Sequence, residues 1–435
     1  MNKEFLESYD ILKKVYYDGA YANIELNRFL KEKKDINNNL VTKIVYGVLQ
    51  KDIYLDYVVK KHIKSNTKPQ VVLLLKIGRY ISEEVSGIPP YAIVNELVEI
   101  AKKQYDRYVG GFVNATLKNV INSQVELPKH GTKEYLSVKF SYPMWVIDKF
   151  LSNRPYDFVE AFLSEPLTTY THIRILGNVN VFIEDLNKCE IAYEKTVLDF
   201  TLYVDYNNLL KHDGVFKNRY VVQGLPSLIA SLALGVTPNS TVLDATSAPG
   251  GKTAVIASID PSIKVTACDL HSHRVLLVEN YMKKLGIKNV TALKQDATVF
   301  NPKFENAFDY VLCDVPCSGL GVVNKKPDIL LNRTADTLKE IIKTQKAILE
   351  NNAKYVKKGG VLLYSTCSLL KQENNDIVNA FLKSHPDFQL TPINTFGLNV
   401  LNEDNCYTFY PHLSKTEGFF IGRLIKKWKF YLITH

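Results

Sequence analysis

The alternation of short apolar runs with helix-length segments from about residue 240 onward constrains the fold more than any other feature. The runs are rich in β-branched residues and read TVLDA, KVTACD, NVTALK, FDYVLCD and GGVLLYST. Buried strands joined by helical crossovers favour a parallel sheet with helices on both faces. We therefore predict a Rossmann-like α/β domain over residues 231–430, with ligands bound at the carboxyl ends of its strands.

The first part of the chain is predicted to be an all-α bundle over residues 1–126. After a Pro-Pro pair, apolar residues recur at the spacing of one helix face, and a second such stripe follows. The two stripes are Ile93, Val94, Leu97, Ile100 and Ala101, then Val113, Leu117, Val120 and Ile121. Charged residues occupy the complementary faces, so nothing in this region indicates catalysis.

Residues 127–230 mix both patterns and predict a small α+β module. The segment YPMWVIDKFL has helical spacing, whereas THIRILGN and FTLYVD alternate as strands do. Arg174, with Tyr170 and His172 nearby, is a candidate RNA surface. Exposed polar residues on an edge strand explain the same pattern equally well.

Charge and composition limit the cellular environments and the binding partners that we expect for this chain. The 435-residue chain carries a formal net charge of +9, from 54 basic and 45 acidic residues, which fits a polyanionic partner such as RNA without requiring one. Its six cysteines do not form a regular disulfide framework. The start lacks a secretory cleavage site, and no apolar run approaches the roughly 20 residues of a membrane span. We expect a soluble, cytoplasmic monomer with reduced thiols, no membrane association and no metal.

A loop of small residues follows the first strand of the α/β domain. It consists of Thr246, Ser247, Ala248, Pro249, Gly250 and Gly251 and leads into a helix through Lys252. Such a loop lets a ligand approach the backbone closely. A P-loop would need a further glycine where Thr246 stands, and the dinucleotide fingerprint G-x-G-x-x-G is missing. ATP, GTP and NAD are therefore disfavoured.

Acidic residues follow three successive strands of the predicted sheet. Asp269 ends the second strand, 18 residues after Gly251, and is placed to bind ribose hydroxyls. Asp296, after the third strand, would lie beside an adenine, and Asp314 ends the fourth. Each alone is as readily a helix N-cap. Together they indicate an adenosine-containing cofactor, and S-adenosylmethionine fits best.

Two cysteines lie immediately beyond the fourth and fifth strands. Cys317 is in DVPCSGLGVV and Cys367 is in STCSLLKQEN. A lone cysteine is usually a buried structural thiol, which is the alternative here. Methylation of carbon 5 of a cytosine requires a thiolate to add at carbon 6 and a base to remove the proton from carbon 5. Two cysteines on adjacent loops could divide these tasks, but spacing alone does not say which is the nucleophile.

The carboxyl-terminal half resembles the RNA cytosine-5 methyltransferases. The resemblance lies in DATSAPGGKT, CDLHSHRV, DVPCSGLGVVNKKPDI, STCSLLKQEN and HLSKTEGFFIGRL, which follow one another in that family's order. YANIELNRFL, IPPYAIVNELVEIAKK and GGFVNATLKNVI resemble the helical RNA-binding domain of NusB, although an unrelated bundle would show similar stripes. The whole chain resembles the RsmB/Sun (Fmu) family, bacterial 16S ribosomal RNA cytosine-5 methyltransferases with an N-terminal NusB-like domain.

This resemblance implies roles for individual residues. It makes Cys367 the nucleophile that adds to carbon 6 and lets Cys317 assist product release. We expect Asp314 to lie between cofactor and base, with Lys252 holding Asp314 or the substrate. The family loop more often has Cys where Thr246 stands, and Ser247 replaces an alanine. Both replacements are small and leave the close approach to the backbone intact.

Three other functions stay open at the level of sequence. An amino-group methyltransferase would have Asp/Asn-Pro-Pro-aromatic after the fourth strand, where this chain has Asp314-Val315-Pro316-Cys317. A transfer RNA cytosine-5 methyltransferase would have the same catalytic motifs. A catalytically inactive, RNA-binding ribosome-assembly factor would have no reason to retain both cysteines and all three acids.

Overall fold

The computed structural model describes residues 2–32, 36–64, 66–166 and 170–428. It divides into two compact units, of which the first contains Met1–Ser164 and Val323–Thr334. The second contains Glu165–Val322 and Ala335–His435. The predicted middle region, 127–230, thus has residues in both units, and its limits as a domain stay a prediction. Positions 1, 429 and 430 of the predicted domains lie outside the described residues.

The first unit is helical, as predicted. Its helices are α1 (Lys3–Tyr17), α2 (Ala22–Glu32), α3 (Asn38–Gln50), α4 (Asp52–Lys60), α5 (Pro69–Glu84), α6 (Pro90–Gln104), α7 (Arg107–Asn122), α8 (Lys133–Phe140), α9 (Met144–Leu151) and α10 (Tyr156–Ser164). Local sequence sets several boundaries. Asp106 caps α7 by accepting the N–H groups of Tyr108 and Val109, and Pro90 stands in the first turn of α6, where a missing N–H costs nothing. Both predicted apolar stripes pack into one core, with Ile121 half-buried at its edge.

A short segment from the second half of the chain completes this helical unit. Val323–Thr334 belongs to it and contains the short helix Ile329–Asn332. The carboxylate of Asp328 accepts the N–H of Ala22 at 3.4 Å, at the start of α2. The side-chain amide of Gln50 donates to the carbonyl of Asn324 at 3.2 Å. Leu331 packs against the helical core.

The second unit begins with a small antiparallel sheet that has its own core. Its strands are β1 (Thr171–Ile175), β2 (Tyr193–Lys195), β3 (Thr201–Val204) and β4 (Tyr220–Val222), and its helices are α11 (Val179–Lys188), α12 (Tyr206–Lys211) and α13 (Asp213–Phe216). The strands are ordered β2-β3-β1-β4. This arrangement confirms the predicted α+β character of the region.

The prediction of an RNA surface around Arg174 is wrong. β1 is an interior strand, and His172 and Arg174 lie on one of its faces with exposures of only 3% and 7%. Nε of Arg174 donates to Oε1 of Gln223 at 3.3 Å, and Nδ1 of His172 is hydrogen-bonded to the carbonyl of the same residue. These side chains therefore hold Gln223, just before the α/β domain, and do not face solvent.

A larger mixed sheet forms the rest of the second unit. Its strands are β5 (Thr241–Asp244), β6 (Lys264–Asp269), β7 (Val290–Lys294), β8 (Phe308–Asp314), β9 (Val356–Thr366), β10 (Phe388–Leu390), β11 (Leu401–Glu403), β12 (Cys406–Phe409) and β13 (Phe419–Lys426). The flanking helices are α14 (Leu225–Ala233), α15 (Gly251–Ala257), α16 (Ser272–Leu285), α18 (Ala335–Ala353), α19 (Asn375–Ser384) and α20 (Pro411–Ser414), with Ile329–Asn332 taken as α17.

The parallel part of the large sheet confirms the α/β prediction. Strands β7, β6, β5, β8 and β9 pair in that order and all run parallel. Residues of α14, α15 and α16 pack on one face, and residues of α18 and α19 pack on the other. β5 lies between β6 and β8, where the strand order reverses, so ligands are expected at its carboxyl end.

The sequence pattern did not predict the antiparallel extension beyond β9. β13 pairs antiparallel with β9, and β12, β11 and β10 extend from it. β11 and β12 form a hairpin around Asp404 and Asn405, both at positive φ, as a tight hairpin turn requires. No helix in the described part of the chain is long and apolar enough to cross a membrane.

Candidate active site

The predicted site residues of the second unit follow the carboxyl ends of four neighbouring parallel strands. The small-residue loop follows β5, Asp269 ends β6, Cys317 follows β8, and Cys367 follows β9. Asp296 lies beyond the next strand, β7. The carboxyl ends of parallel strands meet at one edge of a sheet, so the fold gathers these groups there.

Side chains in the loop tie it to the strands on either side. The hydroxyl of Thr246 donates to the carbonyl of Asp314 at 2.7 Å, on β8. The hydroxyl of Ser247 donates to the carbonyl of Cys268 at 2.9 Å, on β6. Gly250 has φ +106°, and a Cβ there would lie 3.3 Å from the ring of Tyr281. The loop is thus fixed in a conformation that glycine permits, with its backbone free of bulky side chains.

Asp269 and Asp296 are held differently. Asp269 is buried, accepts the N–H groups of Ala248 and His271 at 3.3 Å each, and lies 3.5 Å from the guanidinium of Arg274. Its carboxylate is therefore fixed beside the small-residue loop. Asp296 accepts the N–H and hydroxyl of Thr298 at 2.8 and 2.7 Å, a local turn contact.

Lys252 and Asp314 form a partly buried ion pair. Nζ of Lys252 lies 2.6 Å from Oδ2 of Asp314, whose Oδ1 accepts the hydroxyl of Ser365 at 2.7 Å. Burial is the largest single effect and disfavours the ammonium, but the charge and hydrogen bond of Asp314, together with the charges of Asp244 and Cys367, outweigh it, so the pKa of Lys252 is raised. Ser365, in β9, is a contact that the sequence pattern did not single out. It fixes the carboxylate so that one oxygen faces the lysine.

The two predicted catalytic cysteines are in contact. Their Sγ atoms lie 3.0 Å apart, and both thiols are free. The hydrogen bond from Cys317, together with the nearby ammonium of Lys252, lowers the pKa of Cys367. The same hydrogen bond, together with burial, raises the pKa of Cys317 well above its usual value. The surroundings therefore favour the thiolate form of Cys367 and the protonated form of Cys317.

Backbone hydrogen bonds join the loops that carry Cys317 and Cys367. The N–H of Gly321 donates to the carbonyl of Cys367 at 2.9 Å, and the N–H of Gly418 donates to the carbonyl of Gly321 at 2.8 Å. A Cβ at Gly321 would lie 2.2 Å from the carbonyl oxygen of Gly418, so no side chain fits there. Only glycine permits this close approach.

Glu373 is a buried residue at this site that the motif analysis did not single out. It has 0% exposure, and it follows Cys367 in the short turn Lys371–Glu373 before α19. Its position in STCSLLKQEN, close to Cys367 and next to a helix start, is the signal that the sequence offered. That position alone does not predict burial, because burial depends on residues from other elements.

Two family models match the chain. The model of the 16S rRNA methyltransferase RsmB/F family matches residues 231–425, and that of the NusB family matches residues 6–122. The chain is 32% identical over 437 aligned positions to the probable ribosomal RNA small subunit methyltransferase B of Bacillus subtilis strain 168, covering 96% of this chain and 97% of the relative. It is 26% identical to the ribosomal RNA small subunit methyltransferase B of Shewanella oneidensis, at the same coverage of both chains.

A solved structure has the same fold over nearly the whole length. The crystal structure of PH0851 superposes with a TM-score of 0.80 at 25% identity, covering 96% of this chain and 98% of the other. The small-residue loop and the buried Asp269 beside it lie at the carboxyl ends of β5 and β6, the edge at which open α/β sheets bind their ligands. The chain therefore belongs to the RsmB/F family of S-adenosylmethionine-dependent RNA methyltransferases and carries a NusB-family domain at its amino terminus.

Proposed function

We propose that this chain methylates carbon 5 of a cytosine in small-subunit ribosomal RNA, through a covalent bond between Cys367 and carbon 6 of the base. The observation that carries the proposal is the contact between the two thiols, 3.0 Å apart, with the pKa of Cys367 lowered. A thiolate is the nucleophile that this chemistry requires. The names of the relatives, ribosomal RNA small subunit methyltransferase B, support the choice of RNA.

In the first step Cys367 attacks the base. Its sulfur donates an electron pair to carbon 6, and the ring electrons move so that carbon 5 becomes nucleophilic. Asp314, held by Lys252, is proposed to hydrogen-bond the cytosine ring during this step. S-adenosylmethionine supplies the electrophilic methyl group, and we propose that residues Thr246–Lys252, Asp269, Asp296 and Asp314 hold it.

Release of the product requires a base. Once Cys367 is bonded to carbon 6 it carries no charge, so Cys317 no longer donates to a thiolate. Cys317 is proposed to release its own proton to solvent at this stage and then, as a thiolate, to take the proton from carbon 5. The electrons of that C–H bond then restore the double bond between carbons 5 and 6, and the carbon–sulfur pair returns to Cys367. Each cysteine is then back in its starting state, with Cys317 protonated and Cys367 as the thiolate.

The test identifies the methylated nucleoside. The protein is incubated with radiolabelled S-adenosylmethionine and unmodified 16S ribosomal RNA or transfer RNA, and the RNA is digested to nucleosides. We expect label in 5-methylcytidine from ribosomal RNA, lost in Cys367→Ala and kept in the control Cys189→Ala, a half-buried thiol in the small module. Label only in transfer RNA would reassign the substrate. Cofactor binding without label in either RNA would favour an inactive assembly factor.

A further inference from the structure

The carboxylate of Glu373 bonds to residues next to both cysteines. It accepts the N–H and the hydroxyl of Ser318, at 2.8 and 2.5 Å. It also accepts the hydroxyl of Ser368. Ser318 directly follows Cys317, and Ser368 directly follows Cys367. A single buried carboxylate therefore holds the residue after each thiol.

A third element, the long helix α18, joins the same network. Nε2 of Gln345 donates to Glu373 at 2.9 Å and to the carbonyl of Pro316 at 3.0 Å. Pro316 directly precedes Cys317. The hydroxyl of Tyr364, in β9, donates to the backbone carbonyl of Glu373 at 2.6 Å and fixes the turn that bears it. Glu373 is thus held through its backbone carbonyl as well as through its carboxylate oxygens.

We propose that Glu373 is a positioning residue that holds the thiols of Cys317 and Cys367 within reach of one another for the proposed methyl transfer. The proposal rests on the proposed roles of the two cysteines. A buried carboxylate costs several kcal/mol unless its hydrogen bonds are satisfied, and here four donors satisfy it. Among the described residues, Glu373 is in no ion pair. Loss of this carboxylate would leave those four donors unpaired, so the network fixes the geometry of the loops.

The charge of Glu373 also acts on the thiols. It raises the pKa of both, in opposition to the Lys252 ammonium, which lowers the pKa of Cys367. The other charged or titratable groups that face the pair are Asp314, on β8, and Tyr364, on β9. Removing the charge of Glu373 without removing its hydrogen bonds should therefore lower the pKa of Cys367.

The experiment uses two variants of the full-length protein. In Glu373→Gln the amide oxygen can accept from Ser318 and Gln345, while the two serine hydroxyls rotate to accept from its NH₂ group. Glu373→Ala removes the tether altogether. Asp376→Asn, an exposed acid three residues further on, is the matched control for loss of negative charge. Single-turnover methylation, affinity for S-adenosylmethionine, and the pH dependence of Cys367 alkylation by iodoacetamide are measured for each.

We expect Glu373→Gln to shift the midpoint of Cys367 alkylation to lower pH and to keep most of the methylation rate. Glu373→Ala should lower the rate on the order of 100-fold, because small displacements of reacting groups have costs of that size. Its affinity for S-adenosylmethionine should stay unchanged. If Glu373→Ala does not fold, the double variant Ser318→Ala with Ser368→Ala removes the bonds to both hydroxyls while the Ser318 N–H and Gln345 bonds remain, and it should lower the rate in the same direction but less. Asp376→Asn should behave as the unmodified protein in every assay.

Alkylation needs no RNA, so the two proposals can fail separately. An unshifted midpoint in Glu373→Gln, or an unchanged rate once the tether is removed, overturns the role of Glu373 alone. If the unmodified protein makes no 5-methylcytidine, the proposed function fails whatever the alkylation shows. An equal loss of cofactor affinity and rate would make Glu373 a general structural residue and would also overturn the inference.

Discussion

The ammonium of Lys252 lies 2.6 Å from the carboxylate of Asp314, and the same ammonium lowers the pKa of Cys367. Lys252→Met keeps much of the side-chain volume but removes the charge. The thiolate of Cys367 then loses a stabilising cation, and Asp314 loses its partner. We expect methylation to slow on the order of 100-fold.

The acid limb of the pH–rate profile should also move in this variant. A thiolate is lost as pH falls through its pKa, so raising the pKa of Cys367 moves the limb to higher pH. Lys357→Met is the matched control, because Lys357 pairs with Asp309 at 2.9 Å near the other end of β8 and β9. An unmoved limb in Lys252→Met would contradict the role given to this cation.

A covalent adduct should accumulate when product release is blocked. Cys317→Ala retains the nucleophile but lacks the group that removes the proton from carbon 5, so the bond between Cys367 and carbon 6 persists after methyl transfer. We expect a protein–RNA complex that survives denaturation and migrates slowly in a denaturing gel. Cys367→Ala should give none. A complex trapped by Cys367→Ala instead would reverse the two roles.

RNA binding should depend strongly on salt. The chain carries a net charge of +9, and contacts to phosphates release counterions, so affinity falls as salt rises. We expect the Kd for ribosomal RNA to rise at least about tenfold between low and moderate salt. The Kd for S-adenosylmethionine, measured over the same range, is the internal control and should change little. A salt-independent Kd for RNA would rule out phosphate contacts as the main source of affinity.

Asp244, at the end of β5, should make the second unit less stable as pH rises. It is 1% exposed, and burial raises the pKa of its carboxyl to about 6, although the hydroxyl of Thr253 donates to it at 2.6 Å. A carboxyl with a raised pKa contributes stability below the unfolded pKa, near 4, and loses that contribution as pH rises through about 6. Asp244→Asn does not ionise and escapes this loss.

The difference in the free energy of unfolding between Asp244→Asn and the unmodified protein should therefore grow in favour of the variant between about pH 4 and 6, toward a limit of roughly 3 kcal/mol, and the difference in Tm should grow with it. Asp309→Asn is the control, since the pKa of Asp309 is lowered and its titration lies below that range. Thermal unfolding of the second unit, measured as a function of pH, gives the Tm of each variant. A constant difference for Asp244→Asn would show that this carboxyl titrates normally.

The parallel strands and the loop at β5 could be predicted because their signals are local. A run of β-branched residues indicates a strand, and a run of small residues indicates a loop, from only a few consecutive positions. Gly250 has the positive φ that glycine permits. The strands beyond β9 could not be placed in this way. β10 and β11 span three residues each, too few to show a period, and their direction depends on pairing with distant strands.

Local sequence patterns also could not predict which polar side chains are buried. Arg174 looks like a surface residue in THIRILGN, yet β1 lies inside its sheet. Glu373 stands in the polar stretch KQENN, yet donors from Ser318, Ser368 and Gln345 enclose it. Gln223, Ser318 and Gln345 lie tens of positions away in the chain from the residues they contact. A single sequence carries no record of that proximity.

The packing of Val323–Thr334 into the helical unit has a consequence for biosynthesis. Translation proceeds at roughly 5–20 residues per second, and amino-terminal domains usually fold as soon as they emerge from the ribosome. Here the carboxylate of Asp328 and the side chain of Leu331 reach α2 and the helical core only after most of the chain has been made. The helical unit can therefore reach its final packing only late in synthesis, after Val323–Thr334 has emerged from the ribosome.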